Sequence, residues 1–171
     1  MGEPLCDPRL PDLVAMVRER FADNTIFVST NGDFLTAELL VSLFDAGLSC
    51  IGISHYDRKN DHLLRLKDER ITHTTLNDLR LAFYNRAGLV NVGCIERVPR
   101  CGWLWSKAYI NHRGDVVLCC SDYHYEVVFG NVMNEPFKTI WSSRRYNEYR
   151  AAHSQGRGKE MPLCKTCNRI R

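Results

Sequence analysis

Four cysteines at two places in the chain have the types and spacing to hold a metal guest: Cys101, Cys119, Cys164 and Cys167. Cys164 and Cys167 form a Cys-x-x-Cys pair, which lets two thiolates face one guest from a tight turn. Cys101 and Cys119 lie before and at the end of a predicted hairpin, "KAYIN" and "DVVLC" joined at "HRG". Folding that hairpin brings both to one end, and a following helix can return the C-terminal pair to meet them. Four thiolates from two separated pieces suit a cuboidal iron–sulfur cluster. The same four could hold zinc tetrahedrally. Structural zinc sites usually pair two Cys-x-x-Cys knuckles, and only one is present here, which favours the cluster. Unliganded thiols are the third reading.

The other chemistry-bearing residues carry weaker signals. Cys120 rivals Cys119, because neighbours on a strand point to opposite faces and only one of the two can be a ligand. Cys6, Cys50 and Cys94 stand singly in apolar surroundings and read as buried small hydrophobes. His55, His62, His73, His112, His124 and His153 are scattered and read as surface residues, with His55 and His124 notable for following motif strands. Trp103 and Trp105 could line a substrate or partner site, though packing a ligand loop is the commoner role. Asp122 and Tyr123 follow the cysteine doublet and read as a turn.

The elements that must position these residues fall into two kinds. Leu10, Leu13, Val14, Val17 and Phe21 have helical spacing. "TIFVST" is a strand bounded by "NGD". Thr36 can cap a second helix with Leu39, Leu40, Leu43 and Phe44 on its buried face, ending at Gly47. "CIGIS" is another buried strand. Helix, strand, helix, strand with short connections is the pattern of a parallel α/β layer. Residues 55–75 are polar and without a clear period, a surface segment with a little helix. "LVNVG" (89–93) is a further candidate strand. Beyond the hairpin, Asn134 precedes "EPFKTIW", where Phe137, Ile140, Trp141 and Tyr149 make the packed face of one helix or two short ones. The expected division is an α/β part over 1–93 and a cysteine-bearing part over 94–171.

The 171 residues can bury one core with a small appended domain. Hydrophobic content of 44% and charged content of 25% are those of a globular protein. The formal charge of +3, without a basic run and interleaved aromatics, gives no reason to expect nucleic acid. No apolar run approaches the roughly 20 residues of a membrane span, and no signal peptide follows Met1. The expected location is therefore the cytoplasm, where eight cysteines point to metal or redox chemistry rather than disulfides.

Cys101, twelve residues, Gly114, four residues, Cys119 resembles the opening motif of the SPASM and twitch extensions of radical S-adenosylmethionine (SAM) enzymes. "GDVVLCC", "FGNV", "IW" and "PLCKTC" are similar to the rest of that extension. Upstream, "GEPL" resembles the end of the superfamily's Gly-Gly-Glu-Pro motif, "VSTNG" its next strand, and "IGISHYD" the strand after. The resemblance implies a partial (β/α) barrel followed by a small hairpin-plus-helix domain. It implies SAM contacts at Gly2, Glu3, Pro4 and Ser54, and one auxiliary [4Fe–4S] cluster on Cys101, Cys119, Cys164 and Cys167. The cysteine spacing most resembles the twitch dehydrogenases of aminoglycoside biosynthesis, whose auxiliary cluster accepts an electron from a substrate radical. Peptide-modifying relatives share the extension, so the expected substrate is a small molecule or a peptide.

One departure matters. The Cys-x-x-x-Cys-x-x-Cys triplet that binds the catalytic cluster in radical SAM enzymes does not occur in this chain. Met1 stands where the first Gly of Gly-Gly-Glu-Pro would be. The chain thus reads as a fragment, one half of a split enzyme whose partner chain carries the triplet, or a descendant without radical chemistry. SAM is expected only together with the missing unit. The alternative to an enzyme is a non-catalytic iron–sulfur or zinc module for electron transfer or partner binding.

Overall fold

The structure is a computed structural model that describes residues 2–56, 59–75, 78, 85, 87, 89 and 100–167. Apart from Leu89, the strand expected over 89–93 lies outside the described residues, as do Cys94 and the expected boundary after residue 93. The chain divides into two compact units, one within Gly2–Ala82 and one within Phe83–Arg171. The architecture is mixed α/β, with a parallel sheet in the first unit and an antiparallel sheet in the second.

In the N-terminal unit a single 3-10 turn, Pro4–Cys6, precedes helix α1, Leu10–Arg20. Strand β1, Phe27–Thr30, helix α2, Ala37–Asp45, and strand β2, Cys50–Ser54, follow. The Thr36 hydroxyl caps α2 by accepting from the Leu39 amide at 3.1 Å. The helix ends at Gly47, whose φ of +96° is open to glycine at little cost. A Cβ there would also meet Arg18 Cγ at 2.7 Å. Arg18 uses that space: it donates to Gly47 O at 2.7 and 3.0 Å and to Ser49 Oγ at 2.8 Å, and reaches Ala22 O and Asn24 O. It thereby ties the end of α1 to the entry of β2.

β1 and β2 pair in parallel, Phe27 opposite Cys50 through Thr30 opposite Ile53. The core joins Leu5, Val14, Val28, Leu43, Leu48 and Ile51. The sequence "CIGIS" is apolar at consecutive positions because β2 is the central strand, buried on both faces. The outer neighbour of β2 is strand β3, Ile71–Thr74, paired in parallel from Ile51 opposite Ile71 to Ser54 opposite Thr74. This strand falls in the segment expected to be surface with a little helix. The helical part is there as a 3-10 turn, Asp61–Arg65. No closed barrel is present among the described residues; the parallel sheet is three strands wide, with β1 and β3 at its edges.

The C-terminal unit begins with the short helix α3, Trp103–Ser106, and the hairpin of β4, Tyr109–Ile110, and β5, Asp115–Val117. Its turn is built by Asn111, whose side-chain oxygen accepts from the Arg113 and Asp115 amides at 2.8 and 3.0 Å. Gly114 sits at φ +85° there. A third strand, β6, Val128–Asn131, pairs antiparallel with β5. Helices α4, Phe137–Trp141, and α5, Arg144–Ser154, follow, the latter capped by Ser143. The expected hairpin plus helix is therefore, among the described residues, a three-stranded sheet with α3 before it and two helices after it. Its core is Leu104, Val116, Leu118, Val127, Phe129, Ile140, Tyr146 and Tyr149. Phe129 stacks on Tyr146 with centroids 4.1 Å apart, and the Arg150 guanidinium lies 4.2 and 4.3 Å from the Tyr146 and Trp141 ring centres. Among the described residues no helix is long and apolar enough to cross a membrane.

Candidate metal centre

The C-terminal unit contains a cavity of about 1040 Å³ whose lining includes Cys101, Cys119, Cys164 and Cys167. The four thiols arrive from three local devices. Cys101 stands two residues before α3, ahead of its N-cap Gly102. Cys119 stands two residues beyond the end of β5. Cys164 and Cys167 span one 3-10 turn, Cys164–Thr166, closed by the Cys167 amide donating to Cys164 O at 3.2 Å. That turn is aimed by Leu163, at φ +63° and ψ −41°, with the Cys164 amide bonded to Pro162 O at 2.7 Å. This is a γ-turn of the rare positive-φ kind, and such a conformation costs a non-glycine residue about 1–3 kcal/mol. Leu163 and Cys164 pack against the hydrophobic core, which holds the turn in place.

Burial dominates the electrostatics. It pushes the Cys164 thiol up to about 12, with Cys119, Cys167, Cys101 and Asp122 raising it further. Cys119 is pushed up to about 11, chiefly by burial, while hydrogen bonds from the Ser121 backbone and side chain pull the other way. The thiols feel one another, and dehydrated thiolates so placed need a cationic guest. Among the described residues no three His, Cys, Asp or Glu side chains converge closely enough to hold a single metal ion. A tetrahedral zinc with Zn–S bonds of about 2.3 Å would draw its sulfurs to roughly 3.8 Å. The four thiols line one cavity, and their number and softness suit either zinc or an iron–sulfur cluster.

Cys120 does not line this cavity. The strand-alternation argument for choosing between the doublet does not operate, because β5 ends at Val117 and both cysteines lie in the turn beyond it. Asp122 is buried and serves that turn, accepting from the Glu126 and Val127 amides at 2.8 and 3.0 Å. Trp103 and Trp105 both line the cavity. Trp103 also packs on Tyr109 and under Lys107, while Trp105 is 46% exposed. Cys6 is exposed rather than buried, since it ends a surface 3-10 turn, and Cys50 is half-buried. No disulfide joins the described cysteines.

His153 is the lining residue that sequence reasoning missed. Read as a surface residue, it is 4% exposed. The signal was present: Tyr146, Tyr149 and His153 fall at i, i+3 and i+7, and this stripe is the buried face of α5.

In the N-terminal unit, Glu3 and Ser54 both lie at the C-terminal edge of the parallel sheet, where α/β layers receive ligands. The Glu3 carboxylate accepts from the Thr30 hydroxyl at 2.5 Å, the Asn31 amide at 2.9 Å and the Leu5 amide at 3.1 Å. It clasps the Gly2–Pro4 loop to the end of β1. Pro4 opens the 3-10 turn and Gly2 is exposed. Ser54 ends β2 opposite Thr74. Next to it His55 is buried, not on the surface as expected. His73 Nε2 meets Leu66 O at 3.2 Å, and His55 Nε2 meets His73 Nδ1 at 3.0 Å. A carbonyl can only accept, so a neutral His73 donates from Nε2 and accepts at Nδ1, and His55 donates to it. Among the described residues His55 Nδ1 is left as a buried acceptor without a partner.

The sequence relationships agree with this arrangement. Residues 101–168 match SPASM, an iron–sulfur cluster-binding domain. Over 185 aligned residues the chain is 28% identical to the S-adenosyl-L-methionine-dependent 2-deoxy-scyllo-inosamine dehydrogenase of Niallia circulans, covering 99% of this chain and 70% of that protein. The crystal structure of BtrN in complex with AdoMet and 2-DOIA resembles it with a TM-score of 0.82 and 26% identity, over 99% of this chain and 70% of that one. BtrN in an open conformation shares the fold with a TM-score of 0.73 and 24% identity, over 99% and 68%. Residues 101–168 are thus matched by an iron–sulfur cluster-binding SPASM domain, and nearly the whole chain is similar in sequence and fold to a SAM-dependent dehydrogenase.

Proposed function

We propose that this chain is the cluster-bearing part of a radical SAM dehydrogenase acting on a small molecule, and that one [4Fe–4S] cluster is held by Cys101, Cys119, Cys164 and Cys167. The observation that carries this is the single cavity lined by all four thiols in a SPASM domain. When bound, the cluster supplies a one-electron acceptor for substrate oxidation. The chain's own residues shape its setting. The γ-turn at Leu163 presents the Cys-x-x-Cys pair, Ser121 donates hydrogen bonds toward the Cys119 sulfur, and the tryptophans wall the cavity. A small-molecule substrate follows the substrate named for the dehydrogenase relative. A cytoplasmic location is part of the proposal, because reducing conditions keep such thiols free for iron.

SAM belongs to the N-terminal unit in this reading. Glu3 acts through the loop, fixing the Gly2–Pro4 backbone against β1, and Ser54 offers its hydroxyl at the end of β2. Residues 1–93 are then an arc of a (β/α) barrel and 94–171 the twitch domain. The Cys-x-x-x-Cys-x-x-Cys triplet, absent from this sequence, comes from a further βα unit, whether on the same polypeptide or another. β1 offers that unit an edge without a second strand among the described residues. Near it Phe27, and on α1 Leu13, Met16, Val17 and Phe21, are exposed apolar residues for such a unit to cover.

The test is 5′-deoxyadenosine formation from SAM and dithionite, followed by chromatography over several hours. The 171-residue chain alone, with its cluster loaded, should form none. Adding a triplet-bearing unit taken from the dehydrogenase relative, fused or in trans, should restore cleavage. Multiple turnovers by the chain alone would show that the cluster of the C-terminal unit itself activates SAM, and the division of labour would be wrong. No cleavage with any added unit would leave the non-catalytic iron–sulfur module as the function.

A further inference from the structure

The structure leaves a small set of buried polar atoms without hydrogen-bond partners among the described residues: His55 Nδ1, Tyr146 Oη, Arg150 Nη2 and both ring nitrogens of His153. Of these residues only His153 lines the cavity of the four cysteines. It stands in the last turn of α5, and its ring is pressed against Gly158, where an added Cβ would lie 2.4 Å from Cε1. The ring is therefore packed in place.

An imidazole always carries at least one N–H donor. Leaving a buried donor or acceptor unmade costs about 1–3 kcal/mol. No described protein group answers either nitrogen, and the cavity that His153 lines offers a place for the partner. Cluster sulfides and ligand thiolates carry negative charge and accept hydrogen bonds, and such bonds are among the determinants of cluster potential. Burial also disfavours the imidazolium form of His153, so it meets the guest as a neutral donor.

We propose that His153 donates an N–H hydrogen bond to a sulfur of the cluster held by Cys101, Cys119, Cys164 and Cys167, and by doing so raises its reduction potential. The inference rests on the cluster reading above. The direction follows from charge: reduction adds an electron to the cluster, and a donor aimed at its sulfur stabilises the more negative state. His153 is thus a tuning residue that makes the cluster a better electron acceptor without being a ligand.

The experiment compares the reconstituted wild-type chain with His153→Leu, which has no donor, and His153→Gln, which keeps one. Iron and sulfide content are measured beside the midpoint potential from a dye-mediated redox titration. All three should hold about four irons. The potential should be most negative in His153→Leu, with His153→Gln between it and the wild type. In parallel, pulsed EPR of the reduced wild-type cluster with ¹⁵N-labelled histidine should show weak nitrogen coupling. Should His153→Leu fail to load iron, that wild-type spectrum decides by itself. Full iron in every variant with equal potentials, or no nitrogen coupling in the wild type, overturns the inference while the cluster reading stands. A wild type that binds no iron overturns both.

Discussion

Gly158→Ala is the smallest change that tests how the cavity wall is built. Gly158 is itself buried, and its backbone is not in the left-handed region, so alanine is conformationally allowed there. In an unobstructed site that substitution stabilises by about 0.4–1 kcal/mol through the unfolded chain. Here the new methyl would lie 2.4 Å from His153 Cε1, 2.5 Å from Nδ1 and 3.0 Å from Nε2. Ordinary contact begins near 3.4 Å, so the ring must retreat by about 1 Å, inside a packed wall. Overpacking of this kind costs about 1–3 kcal/mol, which outweighs the backbone gain. For a unit of this size each kcal/mol lowers the melting temperature by roughly 4–8 °C. The assay is thermal unfolding followed by near-UV circular dichroism, with Gly158→Ala made in the wild type and in His153→Ala. The expected result is a lower melting temperature in the wild type, by roughly 4–8 °C for each net kcal/mol, and a neutral or stabilising effect in His153→Ala. The same loss in both backgrounds would refute the packing of His153 on Gly158.

Two further outcomes follow from the N-terminal unit. Arg18→Met removes donors to five backbone or hydroxyl oxygens and should lower stability by about 2–4 kcal/mol. Urea denaturation should show a lower midpoint at unchanged slope, and Arg18→Lys should recover less than half, because a point charge cannot bridge Gly47 and Ser49 together. The His55 pKa is lowered, first by burial and then by His73 against a small opposing pull from Asp61. The unfolded chain therefore takes up this proton before the folded one. Its contribution is fully present above about pH 6.5 and is lost as the pH falls below it. Melting temperatures between pH 7.5 and 5.5 should fall less steeply in His55→Gln than in the wild type, and parallel slopes would contradict the assignment.

What was legible in the sequence was local or chemical. Thr36 and Gly47 delimit α2 by capping rules, the Asn111–Gly114 turn fixes the hairpin, and the cysteine spacing marks four of the residues that line the cavity. What was not legible depends on distant partners. Strand β3 is short and polar, and it forms because β2 offers it a parallel ladder, not because "ITHT" has an apolar pattern. The buried state of His55 comes from His73, eighteen residues on, and that of His153 from the backbone of Gly158. Cys119 and Cys120 looked like strand residues, yet β5 stops at Val117 and the doublet enters a turn organised by Asp122.

The central claim is that four named thiols hold one iron–sulfur cluster in the C-terminal unit. Anaerobic reconstitution with iron and sulfide, read by iron analysis and Mössbauer spectroscopy, tests it directly on the wild type, Cys167→Ala and Cys6→Ala. Cys167 lines the cavity, whereas Cys6 is exposed in the other unit. The account predicts about four irons per chain in the wild type and in Cys6→Ala, with the spectrum of a single cubane, and loss of most iron in Cys167→Ala. Equal iron in all three proteins, or a colourless chain carrying one zinc, would contradict it.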